Sequence, residues 1–359
     1  MAINLKRNIE DIDESLRRAD AVSAARKIGK MLVTEESEGA DDPPEKILLD
    51  VASMSPLEML AKYKAYMADF DTLPIDPAGD HVRIFRGEWS IWSGYPGNGK
   101  TTFLRQMCLH FLKCMNNGEC VFVATLEQDP TWYIIEMAGT AAGVETPTEE
   151  HVTAFLDTYG DKLKVWGMIG VAEHRKIFAT VRELAEKHGC KHAIIDSLMA
   201  LDIDSGDYEA QRKFANMVSA TARAKGVHIH LVAHPRKPIA ADQAPNTWDV
   251  AGSSDLGRLA FNVFFVRRGP QVAGFEDISA MLFYTLKQRT RGTVGEQTAY
   301  FYRKHRQFHI DQFATEPTHY LPDSSYPPTG MSEEIPAHLM NPGAFKVEPQ
   351  PYGSNPWDV

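Results

Sequence analysis

Residues 94–102, GYPGNGKTT, carry the chemistry most directly legible in this chain. Gly94, Tyr95, Pro96, Gly97, Asn98, Gly99, Lys100 and Thr101 fit the pattern G-x-x-x-x-G-K-[ST], and Thr102 follows. Glycines at this spacing let backbone N–H groups turn inward around phosphate oxygens, and the positive end of the next helix adds to the attraction. Lys100 would bridge the β- and γ-phosphates, and the Thr101 hydroxyl would ligate Mg²⁺. The expected cofactors are therefore ATP or dTTP together with Mg²⁺.

A second metal-side group should be an aspartate closing a buried strand, and KHAIID supplies Asp196. Hydrolysis also needs a group that orients and deprotonates water in line with the γ-phosphate. Glu127 ends another apolar run, VFVATLEQD, and is the expected base. Its simpler reading is a cap for the helix beginning at Asp129-Pro130. Open α/β sheets bind ligands at the carboxyl ends of their strands, so a carboxylate on the strand beside the phosphate loop is well placed.

These side chains need a scaffold that brings distant segments together. Short apolar runs at 121–126, 193–196, 229–233, 262–266 and 280–286 read as buried strands. Helical stretches are expected at 102–115, about 130–142, 173–188 and 208–225. The alternation predicts an α/β fold with a mostly parallel central sheet, and the later strands, lacking long helices between them, predict antiparallel strands at one edge.

The flanks differ in character. Residues 1–46 read as an amphipathic helix, carrying Ile9, Ile12, Leu16 and Ala19, followed by an acidic linker. Residues 47–80 contain a linker helix opened by Ser55, Pro56 and Glu58, either a core element or an arm docking onto a neighbouring subunit. The α/β nucleotide-binding domain would occupy 81–313. The tail, 314–359, is acidic and proline-rich, a composition that predicts disorder. With 43% hydrophobic and 24% charged residues the chain suits a soluble cytoplasmic protein. No apolar run is long enough for a membrane span. The four cysteines lack zinc-ligand spacing and read as reduced core residues. A net charge of −10 argues against a general duplex-coating protein, so any nucleic-acid contact must be local.

Six segments, GYPGNGKTT, ATLEQD, AIIDSL, LVAHPRK, DVAGSSDLGRLAFNVFFVRR and TLKQRTRGTVG, occur in an order and spacing that resemble the RecA-like motor of DnaB-type replicative helicases, in particular phage helicases and Twinkle. The resemblance implies a RecA-like P-loop NTPase forming a homo-oligomeric ring, a hexamer, around single-stranded DNA during replication, in the bacterial host cytoplasm if phage-encoded. It implies that His234 senses the γ-phosphate, and that Lys287 and Arg289 reach the triphosphate of the adjacent subunit. It also marks 249–258 as a DNA-facing loop, with Gly252, Ser253, Ser254 and Arg258 as contacts. The basic residue often found early in that loop is absent, and Ala251 stands there. The tail resembles segments that recruit primase, polymerase or single-strand-binding protein, although an inert tail fits its composition equally. A RecA/RadA-like recombination ATPase and a non-translocating ATPase switch, such as a helicase loader or clock-type protein, share the same loop chemistry and remain open at the level of sequence.

Overall fold

The structure, a computed structural model, describes residues 54–322 apart from 205, 236–242, 251–253 and 273. The expected N-terminal helix, most of the tail, and Gly252 and Ser253 lie outside the described residues.

A nine-stranded sheet organises the chain, in the order β11-β10-β9-β8-β3-β7-β6-β4-β5. Its strands are β3 (Trp89–Ser93), β4 (Cys120–Thr125), β5 (Leu163–Val165), β6 (Cys190–Asp196), β7 (His228–Ala233), β8 (Asn262–Gln271), β9 (Ile278–Gln288), β10 (Gly295–Tyr302) and β11 (Gln307–His309). The pairs from β8 to β5 are parallel, and β8 through β11 pair antiparallel. The antiparallel extension therefore sits at one edge, as the missing helices predict. A small antiparallel pair, β1 (Phe70–Asp71) and β2 (Ile84–Phe85), precedes the sheet.

Successive side chains of a strand face opposite ways, so each parallel strand feeds two cores. Val121 and Val123 pack with helices α2 (Lys100–Cys114), α3 (Pro130–Ala142) and α4 (Glu149–Tyr159). Cys120, Phe122 and Ala124 pack with α5 (His174–His188) and α6 (Tyr208–Lys225). Helix α2 buries Phe103, Leu104, Met107 and Phe111 on its sheet face, each contributing about 1.5–3 kcal/mol by burial. That packing anchors the loop in front of the helix.

Two expectations change, and two elements appear that the sequence pattern does not predict. Glu127 follows β4, and β4 is not beside β3, because β7 and β6 lie between them. The crossover through α2 leaves space that two later strands fill, and hydrophobic alternation carries no information on strand order. The short β5 and helix α4, between 143 and 166, escape the sequence pattern because a three-residue strand has almost no period. Cys114 is exposed, whereas Cys108, Cys120 and Cys190 are buried; all four are free thiols.

Helix α1 (Pro56–Ala68) begins as its sequence predicts, with the Ser55 hydroxyl accepting from the Glu58 N–H at 3.4 Å. It is not a core helix of the single chain. Leu57, Leu60 and Tyr63 are 79%, 56% and 63% exposed. Its inner side meets the domain through Tyr66, whose ring stacks on Phe85 and whose hydroxyl donates to Glu88 Oε1 at 2.9 Å.

Under the central strands lies a group of histidines, His192, His228 and His230, all fully buried. The Trp92 indole N–H donates to His230 Nδ1 at 3.1 Å, which leaves the His230 Nε2–H to donate to His192 Nδ1 at 3.1 Å. His228 donates from Nδ1 to the Phe85 carbonyl at 2.6 Å and accepts the Ser90 hydroxyl at Nε2, 2.7 Å away. Each ring thus needs one unprotonated nitrogen. Burial lowers all three pKa values, that of His228 from 6.5 to about 4. The unfolded chain binds more protons than the fold between those two values, so this stability is complete above about pH 6.5 and declines as pH falls toward 4. His228 alone should cost about 2 kcal/mol between pH 7 and pH 5. Urea unfolding at the two pH values checks this, with a shallower pH dependence expected for His228→Asn; an equally steep dependence in that variant would contradict it.

Candidate nucleotide site

The chain leaves β3 at Ser93 and turns through residues 94–99 into α2, whose first residue is Lys100. The turn requires glycine. Gly94 has φ +151°, and a Cβ there would collide with the Val266 carbonyl oxygen of the neighbouring strand. Asn98 ties the loop to that same strand by accepting the Arg268 backbone N–H at 2.6 Å. Gly97 and Gly99 take φ +74° and +84°, and nothing stands within 4 Å of a Cβ built at Gly97, so the loop's outer face is open. Lys100 folds back across it, donating from Nζ to the carbonyls of Gly94 at 2.5 Å and Tyr95 at 3.0 Å. Burial pulls the Lys100 ammonium below its ordinary value, while Asp196 and Glu127 oppose that shift.

Thr101 and Asp196 meet directly: the Thr101 hydroxyl donates to Asp196 Oδ2 at 2.8 Å. Burial raises the Asp196 carboxyl, and the Thr101 hydrogen bond works against it. A hydroxyl and a carboxylate converging beside a phosphate loop suit Mg²⁺, which keeps several waters and takes one or two protein oxygens plus phosphate. Among the described residues no group of three His, Cys, Asp or Glu side chains could hold a metal by itself.

Glu127 stands at the same edge. Its alternative role, capping α3, falls to Asp129, whose Oδ1 accepts the N–H groups of Thr131 at 2.8 Å and Trp132 at 3.1 Å. Glu127 is left for the site. The Ser197 hydroxyl donates to Glu127 Oε1, and His234 Nε2 lies 3.8 Å from the same oxygen. His234 foremost, then Ser197, hold the Glu127 carboxyl below its ordinary value against burial. His234 Nδ1 is buried and has no hydrogen-bond partner among the described residues. Ser197 is a site residue that the sequence reading passes over; its only signal is its place directly after Asp196.

The remaining expected residues lie elsewhere. Gln288 pairs with Asn262, and Asn262 pairs with Ser90 near the start of β3. The phosphate loop begins beyond Ser93, about 10 Å further along the strand at ~3.3 Å per residue. Because β9 runs antiparallel, Arg289 lies a further step away from the loop. Both basic side chains turn to the short helix α7 (Ser254–Leu259). Lys287 Nζ donates to the carbonyls of Gly257, Arg258 and Ala260 at 2.9, 2.8 and 2.7 Å. Arg289 Nη2 donates to the Arg258 carbonyl at 2.8 Å, with its guanidinium 4.9 Å from the centre of the Phe261 ring. Burial first, then Arg289, lower the Lys287 ammonium to about 8. Arg258, the basic group of the segment 249–258, is paired with its own Asp255 at 2.8 Å, and Ser254 opens α7.

An open groove of about 230 Å³ adjoins the phosphate loop, lined by Gly97, Asn98 and Thr102 on one side and by Arg268, Phe301 and Phe308 on the other. Its place beside the loop offers room for the nucleoside end of a ligand whose phosphates sit there.

The family model of the AAA domain matches residues 62–240, the stretch that contains Lys100, Glu127, Asp196 and His234. The fold is similar to a solved "DnaB-like replicative helicase", described with its interactions with primase, at a TM-score of 0.61 and 15% identity over 85% of this chain and 79% of that one. It is also similar to a second solved structure, described as an ATPase domain, at a TM-score of 0.54 and 16% identity over 62% of this chain and 85% of that one. This is the RecA-like fold of DnaB-type helicases. A comparison with curated proteins returns no match. In this DnaB-like frame the four groups expected around the phosphates come together from the first turn of α2 (Lys100, Thr101) and the ends of β4 (Glu127) and β6 (Asp196), with His234 beyond β7. The two expected trans-acting cations occupy the other end of the sheet.

Proposed function

We propose that the chain is an ATP-driven ring helicase that translocates on single-stranded DNA and parts duplexes during replication in a bacterial cytoplasm. One observation carries this reading: Arg289 lies at the opposite sheet end from the phosphate loop, so a nucleotide site completed by that cation takes it from another copy. Head-to-tail contacts of this kind close into rings when the rotation permits. Six copies are the number that the resemblance to DnaB-type helicases implies.

In this reading the loop glycines and Lys100 hold the triphosphate, and Thr101 and Asp196 hold Mg²⁺, which when bound neutralises phosphate charge. Glu127 takes the proton of the attacking water, and His234 stands beside it, able to respond to the γ-phosphate position. The groove lined by Phe301 and Phe308 receives the nucleoside. The segment 249–258 faces DNA largely through backbone N–H groups, consistent with the pairing of Arg258 to Asp255. Few contacts per subunit suffice when several subunits hold one strand. The exposed face of α1 docks on a neighbour, and the tail beyond the motor serves primase, polymerase or single-strand-binding protein.

Forked-duplex unwinding is the test. The protein with ATP and Mg²⁺ should separate a fork carrying a free single strand, and Lys100→Ala should not. DNA-stimulated hydrolysis on filaments without strand separation would favour a recombination ATPase instead, and nucleotide binding with neither activity would favour a switch.

A further inference from the structure

Three consecutive polar residues beyond β4 each have a different partner. Glu127 stands at the nucleotide site beside Ser197, Asp129 caps α3, and Gln128 reaches along α3 to Glu136. The Gln128 amide donates from Nε2 to Glu136 Oε2 at 2.7 Å, and its backbone carbonyl accepts the Thr125 hydroxyl at 3.3 Å. Glu136 receives two more donors from distant parts of the chain. Arg105 of α2 donates from Nη1 to the same oxygen, and Arg306 donates from Nη2 to Oε1 at 3.2 Å. Arg105 also donates from Nη2 to the hydroxyl of Thr102, the residue after Thr101, at 3.3 Å. Arg306 occupies the turn between β10 and β11, where its backbone takes the left-handed φ of 53°. Those two strands carry Phe301 and Phe308 of the groove that Thr102 also lines. One carboxylate therefore ties together the segment of the expected base, the helix behind the phosphate loop and a wall of the groove.

Such an ion pair is a weak source of stability. Arg105 is only 7% exposed, so its guanidinium gives up most of its hydration, and that loss offsets much of the attraction to Glu136. What charge-assisted hydrogen bonds from separate elements supply instead is a fixed relative position. Glu127 needs one. Its side chain is 52% exposed, and it meets Ser197 and His234, beyond the ends of β6 and β7, on one side. Resting on the reading of Glu127 as general base, we propose that Gln128 and Glu136 are positioning residues for hydrolysis. Gln128 pins the turn that carries Glu127 to Glu136, and Arg105 pins Glu136 to the helix that presents Lys100 and Thr101. The distance from base to phosphates is thus set from within the chain, before any neighbouring copy contributes.

The test uses the full chain with ATP, Mg²⁺ and an oligo-dT strand. Gln128→Met keeps the length of the side chain and removes its donor. It should lower kcat by ~10–100-fold, the scale on which a misplacement of about 1 Å acts. Affinity for a non-hydrolysable ATP analogue should stay unchanged. Gln128→Lys, which can donate to the same carboxylate, should restore most of the rate. Glu136→Ala should lower kcat at least as far, and the Gln128 variants supply the answer if it folds poorly. A double-mutant cycle with Glu127→Gln separates positioning from a general weakening of the fold. In that background Gln128→Met should leave the residual rate unchanged, because no base remains to be positioned, whereas a structural defect would lower it by the same factor as in wild type. Equal factors in both backgrounds, or a wild-type kcat in Gln128→Met, would overturn the proposal. A Glu127→Gln variant as fast as wild type would defeat the assignment of the base, and this inference with it. Hydrolysis without unwinding of a fork would defeat the helicase reading alone and leave this inference standing.

Discussion

Arg289→Ala should reduce the ATPase rate of the assembled protein by ~10³-fold or more, the scale on which a trans-acting arginine accelerates phosphoryl transfer. Binding of nucleotide to the same variant should be nearly unchanged, because the guanidinium lies at the sheet end remote from the loop that holds phosphates. Its side-chain contacts among the described residues are one carbonyl and one aromatic face, both near the surface. Their loss falls in the range of ordinary surface substitutions, roughly 0.5 kcal/mol. A mixing experiment separates action in trans from a folding defect. Arg289→Ala keeps an intact phosphate loop, and Lys100→Ala keeps an intact arginine. Each alone should be inactive, and rings assembled from both should regain part of the activity, because some loops of the first then face arginines of the second. If co-assembled variants stay silent while each still binds its partner, the arginine does not act across the seam.

Glu127→Gln should lower hydrolysis by ~10²–10⁴-fold, the usual contribution of a positioned general base. Glutamine keeps the shape and can still accept the Ser197 hydroxyl through its carbonyl oxygen, so assembly and nucleotide affinity should persist. Nucleotide should therefore accumulate unhydrolysed on the variant, as a single-turnover measurement with excess protein would show. Since His234 and Ser197 hold this carboxyl below its ordinary value, it remains ionised throughout pH 6–8. Its titration should add no slope to the rate in that interval. A variant retaining more than a tenth of the wild-type rate would transfer the role of base to another group. Asp129 is not an obvious substitute, because its side chain is engaged by the first N–H groups of α3.

Much of this architecture is legible before any coordinates. The glycine spacing at 94–99 admits few backbone paths, because each positive φ it contains disfavours residues bearing a Cβ. Lys100 and Thr101 follow in fixed phase on the helix that the loop opens. Apolar runs ending in Glu127, Asp196 and His234 mark strand ends, and in parallel α/β sheets such ends share one edge. These are local properties, encoded within a few residues.

What local pattern does not encode is which strand lies beside which, and what each long side chain touches. The insertion of β7 and β6 between β3 and β4 depends on how helices of given length pack across the sheet. The cap of α3, by contrast, is a local matter: Asp129 stands at the N-cap position directly before Pro130 and accepts the N–H groups of Thr131 and Trp132, which leaves Glu127, two residues earlier, free of that role. Lys287 and Arg289 read alike along a strand, two residues apart on one face. Only the fold, by placing the C-terminal carbonyls of α7 beneath them, gives one cation three carbonyl partners and the other, among the described residues, a single side-chain hydrogen bond. Hydrogen bonding between residues roughly thirty positions apart is a property of the folded surface, and one-dimensional spacing carries no trace of it.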